Sequence, residues 1–286
     1  MIARKPEWLK VKLPAGENYL KLRSIVKERS LHTVCQEAMC PNIAECWGVG
    51  TATFMILGDT CTRGCRFCNV KTGHPNPIDP LEAAKLARSI EELGLNYAVI
   101  TCVDRDDLPD GGAAQMAEAI RAIKHRTPQV KVEVLTSDYR GDQAAILTVV
   151  DANPDVYAHN IETTRALTRK VRDLRCGYDQ TLGVLRFVKS IRPGMLTKSS
   201  IMLGLGETDG DVLQAARDLR TVGVDVITFG QYLQPTKKHL PVNEFVTPEK
   251  FAWFAREVKP LGFRQIVSGP LVRSSYHAEQ AFTTKL

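Results

Sequence analysis

Residues 53–69 read TFMILGDTCTRGCRFCN, and this stretch decides both the fold and the chemistry. Its first half, Thr53–Leu57, is a short apolar run of strand character closed by Gly58-Asp59. Its second half, Cys61-Thr-Arg-Gly-Cys65-Arg-Phe-Cys68, places three thiols within eight residues, directly past the strand. Further apolar runs follow at Tyr97–Cys102, Val130–Leu135, Val156–Asn160, Ser199–Leu203 and Val226–Phe229. Between and after them, Glu82–Leu93, Ala113–Lys124, Gln143–Val150, Asp179–Ile191, Asp211–Val222 and Pro248–Val258 carry apolar residues at helical spacing. Strands separated by helices imply right-handed βαβ units and a parallel sheet. Six such units are too few for a closed eight-stranded barrel. The expected fold class is α/β, a partial (β/α)6 TIM-like barrel, with a doubly wound sheet as the alternative.

The polar and glycine-rich motifs come after the strands: Asp59–Cys68, Asp104–Gly112, His159–Glu162, Gly204–Thr208 and Gly230–Pro235. In parallel α/β folds the carboxyl ends of the strands form the active-site mouth, so these segments are expected to converge there. Residues 1–50 read as an N-terminal extension with a helical segment at Tyr19–Arg29 and a cysteine-rich stretch. Residues 51–262 read as the barrel and 263–286 as a C-terminal extension.

Composition fits a globular enzyme: 286 residues, 44% hydrophobic and 24% charged. The formal charge of +6 is spread along the chain without a run of five like charges, which speaks against nucleic acid as a partner. No stretch reaches the roughly 20 apolar residues of a membrane span. The N-terminal residues lack an apolar core for a signal peptide, and Glu7, Glu17 and Glu28 argue against a transit peptide. Cytoplasm is therefore expected. In that reducing compartment, eight cysteines point to metal binding or catalysis, not to disulfides.

Thiolates are the usual ligands of iron–sulfur clusters. A C-x3-C-x2-C loop can bond three irons of a 4Fe–4S cubane and leave the fourth open to another ligand. Gly64 permits close approach and Phe67 can shield the cluster from water. The competing reading is a zinc knuckle, which needs four closed ligands; a fourth is not evident near this loop. A second triplet, Cys35-Gln-Glu-Ala-Met-Cys40-Pro-Asn-Ile-Ala-Glu-Cys46, lies fifteen residues upstream and suggests a second cluster, against the alternative of three buried structural cysteines. Cys102 and Cys176 stand alone in sequence and read as core filling. Ser274 and Ser275 read, on their own, as helix-capping residues.

The C-x3-C-x2-C loop after the first strand of a (β/α)6 pattern resembles the radical S-adenosylmethionine superfamily. The two triplets in this order resemble its lipoyl synthase family. The likeness extends through EAMCPNIAEC (37–46), DTCTRGCRFCN (59–69), DRDDLPDGG (104–112), HNIET (159–163), MLGLGET (202–208), GQYLQP (230–235) and SGPLVRSSYHA (268–278). It implies that Cys61, Cys65 and Cys68 hold the cluster that binds S-adenosylmethionine and converts it to a 5′-deoxyadenosyl radical. It implies that Cys35, Cys40 and Cys46, with Ser275 as a fourth ligand, hold an auxiliary 4Fe–4S cluster. Sulfur from that cluster would be inserted at C6 and C8 of an octanoyl chain on a carrier-protein lysine, consuming the cluster.

The resemblance also points to Thr101, Asp104 and Arg105, to Asn160 and Glu162, and to Gly204, Gly206 and Glu207 as contacts for S-adenosylmethionine. Each of these could equally be a structural turn or a buried hydrogen-bond network. Arg273 and Tyr276 are expected to position the serine or the substrate. The implied partners are octanoylated lipoyl carriers, namely the lipoyl domains of 2-oxoacid dehydrogenases and the glycine cleavage H protein. An electron donor such as ferredoxin or flavodoxin and an iron–sulfur carrier for cluster reassembly complete the set. Two rivals remain: a different radical enzyme with an auxiliary cluster, and a non-catalytic zinc-binding module.

Overall fold

The computed structural model describes residues 5–11, 16–37, 39–48 and 52–275. The chain forms two compact units, one from Val11–Arg63 and Asn69–Tyr157, the other from Met1–Lys10, Gly64–Cys68 and Ala158–Leu286.

The first unit begins with α1 (Glu17–Glu28), followed by β1 (His32–Thr33), α2 (Val34–Glu37) and α3 (Ile43–Gly48). β2 (Thr53–Ile56), β3 (Thr60–Cys61) and β4 (Lys71–Thr72) come next, then α4 (Glu82–Leu93), β5 (Tyr97–Cys102), α5 (Ala113–Arg126), β6 (Lys131–Leu135) and α6 (Gln143–Asp151). β2 pairs in parallel with β5 (Thr53 opposite Val99), and β5 in parallel with β6 (Tyr97 opposite Lys131). β1 adds an antiparallel edge to β2. β2 is buried throughout and Ala98, Val99 and Ile100 are inaccessible to solvent. Such continuous apolar runs mark strands covered on both faces. In α4, Ala83, Leu86, Ala87 and Ile90 supply the buried stripe at helical spacing. The Asp142 carboxylate caps α6 by accepting from the Ala144 and Ala145 amides.

β7 (Val156–Ala158) ends at the first residue of the second unit's main segment. That unit continues with α7 (Thr168–Val171), α8 (Tyr178–Ile191), β8 (Leu196–Leu203), α9 (Asp209–Thr221), β9 (Val226–Gln231), α10 (Pro248–Val258) and β10 (Gln265–Gly269). β8 pairs in parallel with β9, and β9 with β10. Leu185, Ile201, Leu203, Leu219, Phe229 and Phe251 centre its core. Thr208 and Thr247 cap α9 and α10 through their hydroxyls.

The expected helices all form, shifted by two residues at most at either end. Several strand readings change: β8 begins at Leu196, three residues before the expected Ser199, and β9 runs on to Gln231. The strand expected at Val156–Asn160 stops at Ala158, and the next residues bond the edge of β8 as a loop, with the His159 amide on Lys198 O and the Glu162 amide on Ser200 O. Residues 265–269, expected within the C-terminal extension, are a parallel strand on β9. Among the described residues no helix is long and apolar enough to cross a membrane.

Candidate active site

Cys61 ends β3 in the first unit. Its sulfur accepts the amides of Arg63 (3.4 Å) and Asp104 (3.3 Å), and its thiol faces the Asp104 carboxylate at 3.7 Å. The Thr62 amide donates to Asp104 O at 3.0 Å, and the Asp106 amide donates to the Thr62 hydroxyl at 3.1 Å. Two residues past Cys61, the Arg63 side chain is 2% exposed and enclosed by three carboxylates: Asp106 at 2.7 Å, Asp138 at 2.8 Å and Asp104 at 3.5 Å. Burial alone would lower the Arg63 pKa; the hydrogen bonds to Asp106 and Asp138 and the charge of Asp104 reverse that and hold it above its ordinary value. The start of the cysteine loop is thus tied to the loops after β5 and β6.

The rest of the loop belongs to the second unit and is gripped by the segment after α7. The Asp173 amide donates to Cys65 Sγ at 3.3 Å, and the Gly64 amide donates to the Asp173 carboxylate at 2.8 Å. The Arg66 amide donates to Val171 O at 2.9 Å. The hydrogen bond of Cys65 with buried Cys176, followed by burial, raises the Cys65 pKa. His239 Nε2 lies 2.9 Å from Cys68 O, and Phe67 packs on the apolar group of Val171, Leu205, Tyr232 and Leu240. Cys176 is therefore more than core filling: it touches a loop cysteine. Cys102, at the end of β5, shares the electrostatic surroundings of Asp104 and Cys61.

Amide donors aimed at the Cys61 and Cys65 sulfurs stabilise negative charge on sulfur, so these two residues fit thiolate ligation of an iron–sulfur cluster. Coordination would also deprotonate a thiol that is otherwise held neutral. Among the described residues no three His, Cys, Asp or Glu side chains stand around one point as ligands of a single ion. Ligands of a cubane each bond a different iron and need not share a centre.

The expected contacts for S-adenosylmethionine divide into two groups. Thr101 donates its hydroxyl to Leu135 O at 3.0 Å, and Arg105 bonds Asp107 (2.8 Å) and Leu57 O (3.1 Å). Glu207 accepts from the Gly204 and Leu205 amides, the latter at 2.9 Å. Thr101 thus ties β5 to β6, Arg105 ties its loop to the end of β2, and Glu207 braces its own loop. Gly204 holds a φ of 95° where a Cβ would collide with the Gln231 side chain and Glu244 O, whereas Gly206 is exposed. The loop after β7 differs. Asn160 bonds Glu162, whose backbone sits at a φ of 68°. Desolvation raises the Glu162 pKa, opposed by the charge of Arg172 and the bond from Asn160. Asn160 Oδ1, the Thr163 and Thr164 hydroxyls and Arg172 Nε are buried without a hydrogen-bond partner. Each orphaned group costs about 1–3 kcal/mol, and a polar ligand would satisfy them. Asn160 and Glu162 thus fit the polar end of S-adenosylmethionine.

The upstream triplet lies in the first unit. Cys35 is buried on α2, Cys40 follows it and Cys46 sits on α3. The Cys40 amide donates to Cys35 O at 2.9 Å, and the Cys46 amide to Asn42 O at 2.9 Å. Burial, then the charge of Cys40, raises the Cys35 pKa. Asn69, next to Cys68, donates its side-chain amide to Glu37 O at 2.8 Å and so ties the first motif to the second. Ser275 lies in the second unit, in a turn at the end of the described residues. Gly230 seats that segment: a Cβ there would collide with Val272 O. Tyr276 lies outside the described residues.

Arg63, Asp138, Asp173 and His239 escaped the sequence reading, which took Cys176 as core filling. The signal for Arg63 was its place between Cys61 and Cys65, with acid-rich Asp104–Asp110 downstream.

The chain matches the model of the radical SAM superfamily over residues 55–219 and that of the N-terminal domain of lipoyl synthase over residues 2–40. It is 60% identical over 283 residues to a lipoyl synthase from Anaeromyxobacter sp., covering 99% of this chain and 96% of that protein. It is 57% identical over 279 residues to a lipoyl synthase from Thermus thermophilus, covering 97% and 86%. Among solved structures, methylornithine synthase superposes with a TM-score of 0.59 at 14% identity, over 88% of this chain and 79% of that one. That likeness shows the fold, a mostly parallel α/β partial TIM-like barrel with extensions.

Proposed function

This chain belongs to the lipoyl synthase family of the radical SAM superfamily, and on that premise we propose how its residues share the insertion of two sulfur atoms, at C6 and C8, into a protein-bound octanoyl chain. It is a sulfur-inserting enzyme that uses S-adenosylmethionine and 4Fe–4S clusters, and its substrates are lipoyl carrier proteins. When bound, these groups supply radical removal of hydrogen from unactivated carbon, and the sulfur itself.

Cys61, Cys65 and Cys68 hold the radical-forming cluster. The Arg63 carboxylate cage fixes the first part of their loop, and the grip of Val171 and Asp173 fixes the second. Asn160 and Glu162 bind the polar end of S-adenosylmethionine, while Thr101, Asp104, Arg105, Gly204, Gly206 and Glu207 shape the loops beside it. Phe67 and its apolar neighbours keep water from the cluster. Cys35, Cys40, Cys46 and Ser275 hold the auxiliary cluster that is spent as sulfur donor. Residues 1–50 carry the auxiliary-cluster cysteines, 51–262 the radical-forming barrel and 263–286 the serine ligand. Ferredoxin or flavodoxin supplies electrons, and an iron–sulfur carrier rebuilds the auxiliary cluster. The reducing cytoplasm suits a chain whose eight cysteines form no disulfide among the described residues.

The observation that carries this reading is the set of backbone amides aimed at the Cys61 and Cys65 sulfurs. The test is anaerobic reconstitution followed by reaction with S-adenosylmethionine, a reductant and an octanoylated lysyl peptide. The expected results are about eight irons per chain, 5′-deoxyadenosine and a doubly thiolated peptide. Replacing Cys35, Cys40 and Cys46 together by Ala leaves 5′-deoxyadenosine formation intact and stops sulfur insertion. A colourless, iron-free protein would sink the reading.

A further inference from the structure

In the second unit the cysteine loop reaches solvent. Gly64 and Arg66 are exposed, and so are Arg169, Lys170, Leu174 and Arg175 on the segment that grips them. Arg66 is pinned there by its amide on Val171 O and by its guanidinium on Lys170 O at 3.2 Å. On the other flank, the turn that carries exposed Lys237 and Lys238 is tied to the loop twice: the Leu240 amide donates to Arg66 O at 3.2 Å, and His239 bonds Cys68 O.

The charge on this collar is one-sided. Arg66, Arg169, Lys170, Lys237 and Lys238 make no ion pair with a carboxylate among the described residues, and Arg175 is matched by Asp173. Leu174, 72% exposed, stands as an apolar knob within it. Uncompensated like charges held on a firmly bonded scaffold repel one another, and a surface of one sign attracts a partner of the other and speeds its encounter. A protein that delivers electrons must come close to the cluster loop. A substrate carrier presents its acyl group on a long lysyl arm and has no such need.

We propose that this basic collar around the exposed Gly64–Arg66 edge docks a small, acidic one-electron carrier protein, with Leu174 as its apolar contact. The inference rests on the radical-enzyme reading above. In each docking event the carrier is oxidised by one electron and the cluster held by Cys61, Cys65 and Cys68 is reduced by one.

The test compares the reconstituted wild type with the Lys170→Glu/Lys237→Glu/Lys238→Glu variant, using a purified flavodoxin and, separately, dithionite. Binding of flavodoxin is measured directly at low and high salt. The expected result is affinity about tenfold weaker, a flatter salt dependence, and a matching loss of flavodoxin-driven 5′-deoxyadenosine formation. Dithionite-driven formation stays unchanged, because that small reductant needs no docking surface; this arm also shows that the variant folds. A Leu174→Ala variant weakens flavodoxin binding without changing its salt dependence. Unchanged flavodoxin affinity in the triple variant overturns the proposal. So does a variant that keeps flavodoxin but loses an octanoylated carrier domain, which would hand the collar to the substrate. If wild type yields no 5′-deoxyadenosine with either reductant, the radical-enzyme reading fails, while the binding comparison still judges the collar.

Discussion

The two cysteine motifs are built to different standards. The Cys61–Cys68 loop is held by a buried arginine among three carboxylates at one end and by the Gly64, Cys65 and Arg66 bonds to Val171 and Asp173 at the other. The Cys35–Cys46 segment rests on helices of four and six residues, on amide bonds within it, on bonds of Cys35 to Thr53 and of Asn69 to Glu37 O, and on the packing of Trp47 against Tyr19 at 5.2 Å. The difference matches the proposed tasks. A cluster that is kept through turnover profits from a preorganised cradle with a buried ion cage; one that is dismantled and rebuilt profits from ligands on short helical pieces.

The comparison can be broken most forcefully at Arg63. Arg63→Ala leaves buried Asp138 and half-buried Asp106 without their cation, which costs about 3–5 kcal/mol. The expected outcome in thermal unfolding is a drop of about 10 °C, and iron after reconstitution falls by about half because the radical cluster is lost. An unchanged midpoint and full iron would show that the cage does not hold the loop.

A second, smaller effect is expected at Glu162. Desolvation holds its carboxyl above the ordinary value of 4.5. A raised acid opposes folding once the unfolded carboxyl ionises, so the penalty is absent below 4.5 and grows as pH rises through that value toward the folded pKa. Glu162→Gln should therefore raise the ligand-free midpoint near neutral pH and leave it unchanged at about pH 4. The same variant should bind S-adenosylmethionine about tenfold more weakly or worse. Stabilisation without loss of binding would remove Glu162 from the site.

The smallest effect concerns the tie between the motifs. Asn69→Ala removes one hydrogen bond to Glu37 O, worth about 1 kcal/mol. Iron should leave the auxiliary motif faster in the presence of a chelator, while cleavage of S-adenosylmethionine is unaffected.

Much of this was legible in the sequence because the strands are continuous apolar runs and each motif follows one. Strand β5 and helices α4 and α10 lie where the pattern puts them. What stayed hidden has physical reasons. β8 starts at Leu196 instead of Ser199 because Thr197 and Lys198 are polar yet buried. β10 is five half-buried residues ending in Gly, with no alternation to read. α2 and α3 are too short to show a period. The cage around Arg63 joins residues 43 and 75 positions apart, which spacing alone does not pair. The brace formed by Glu207 looks like a ligand in sequence because a carboxylate after a glycine loop serves either role.

The most direct test of the central claim is an iron count on the reconstituted enzyme before and after a single turnover with an octanoylated lysyl peptide. The account predicts a fall from about eight irons to about four, with the survivors lost only when Cys61, Cys65 or Cys68 is also replaced. Full retention of iron alongside formation of the doubly thiolated product would contradict it.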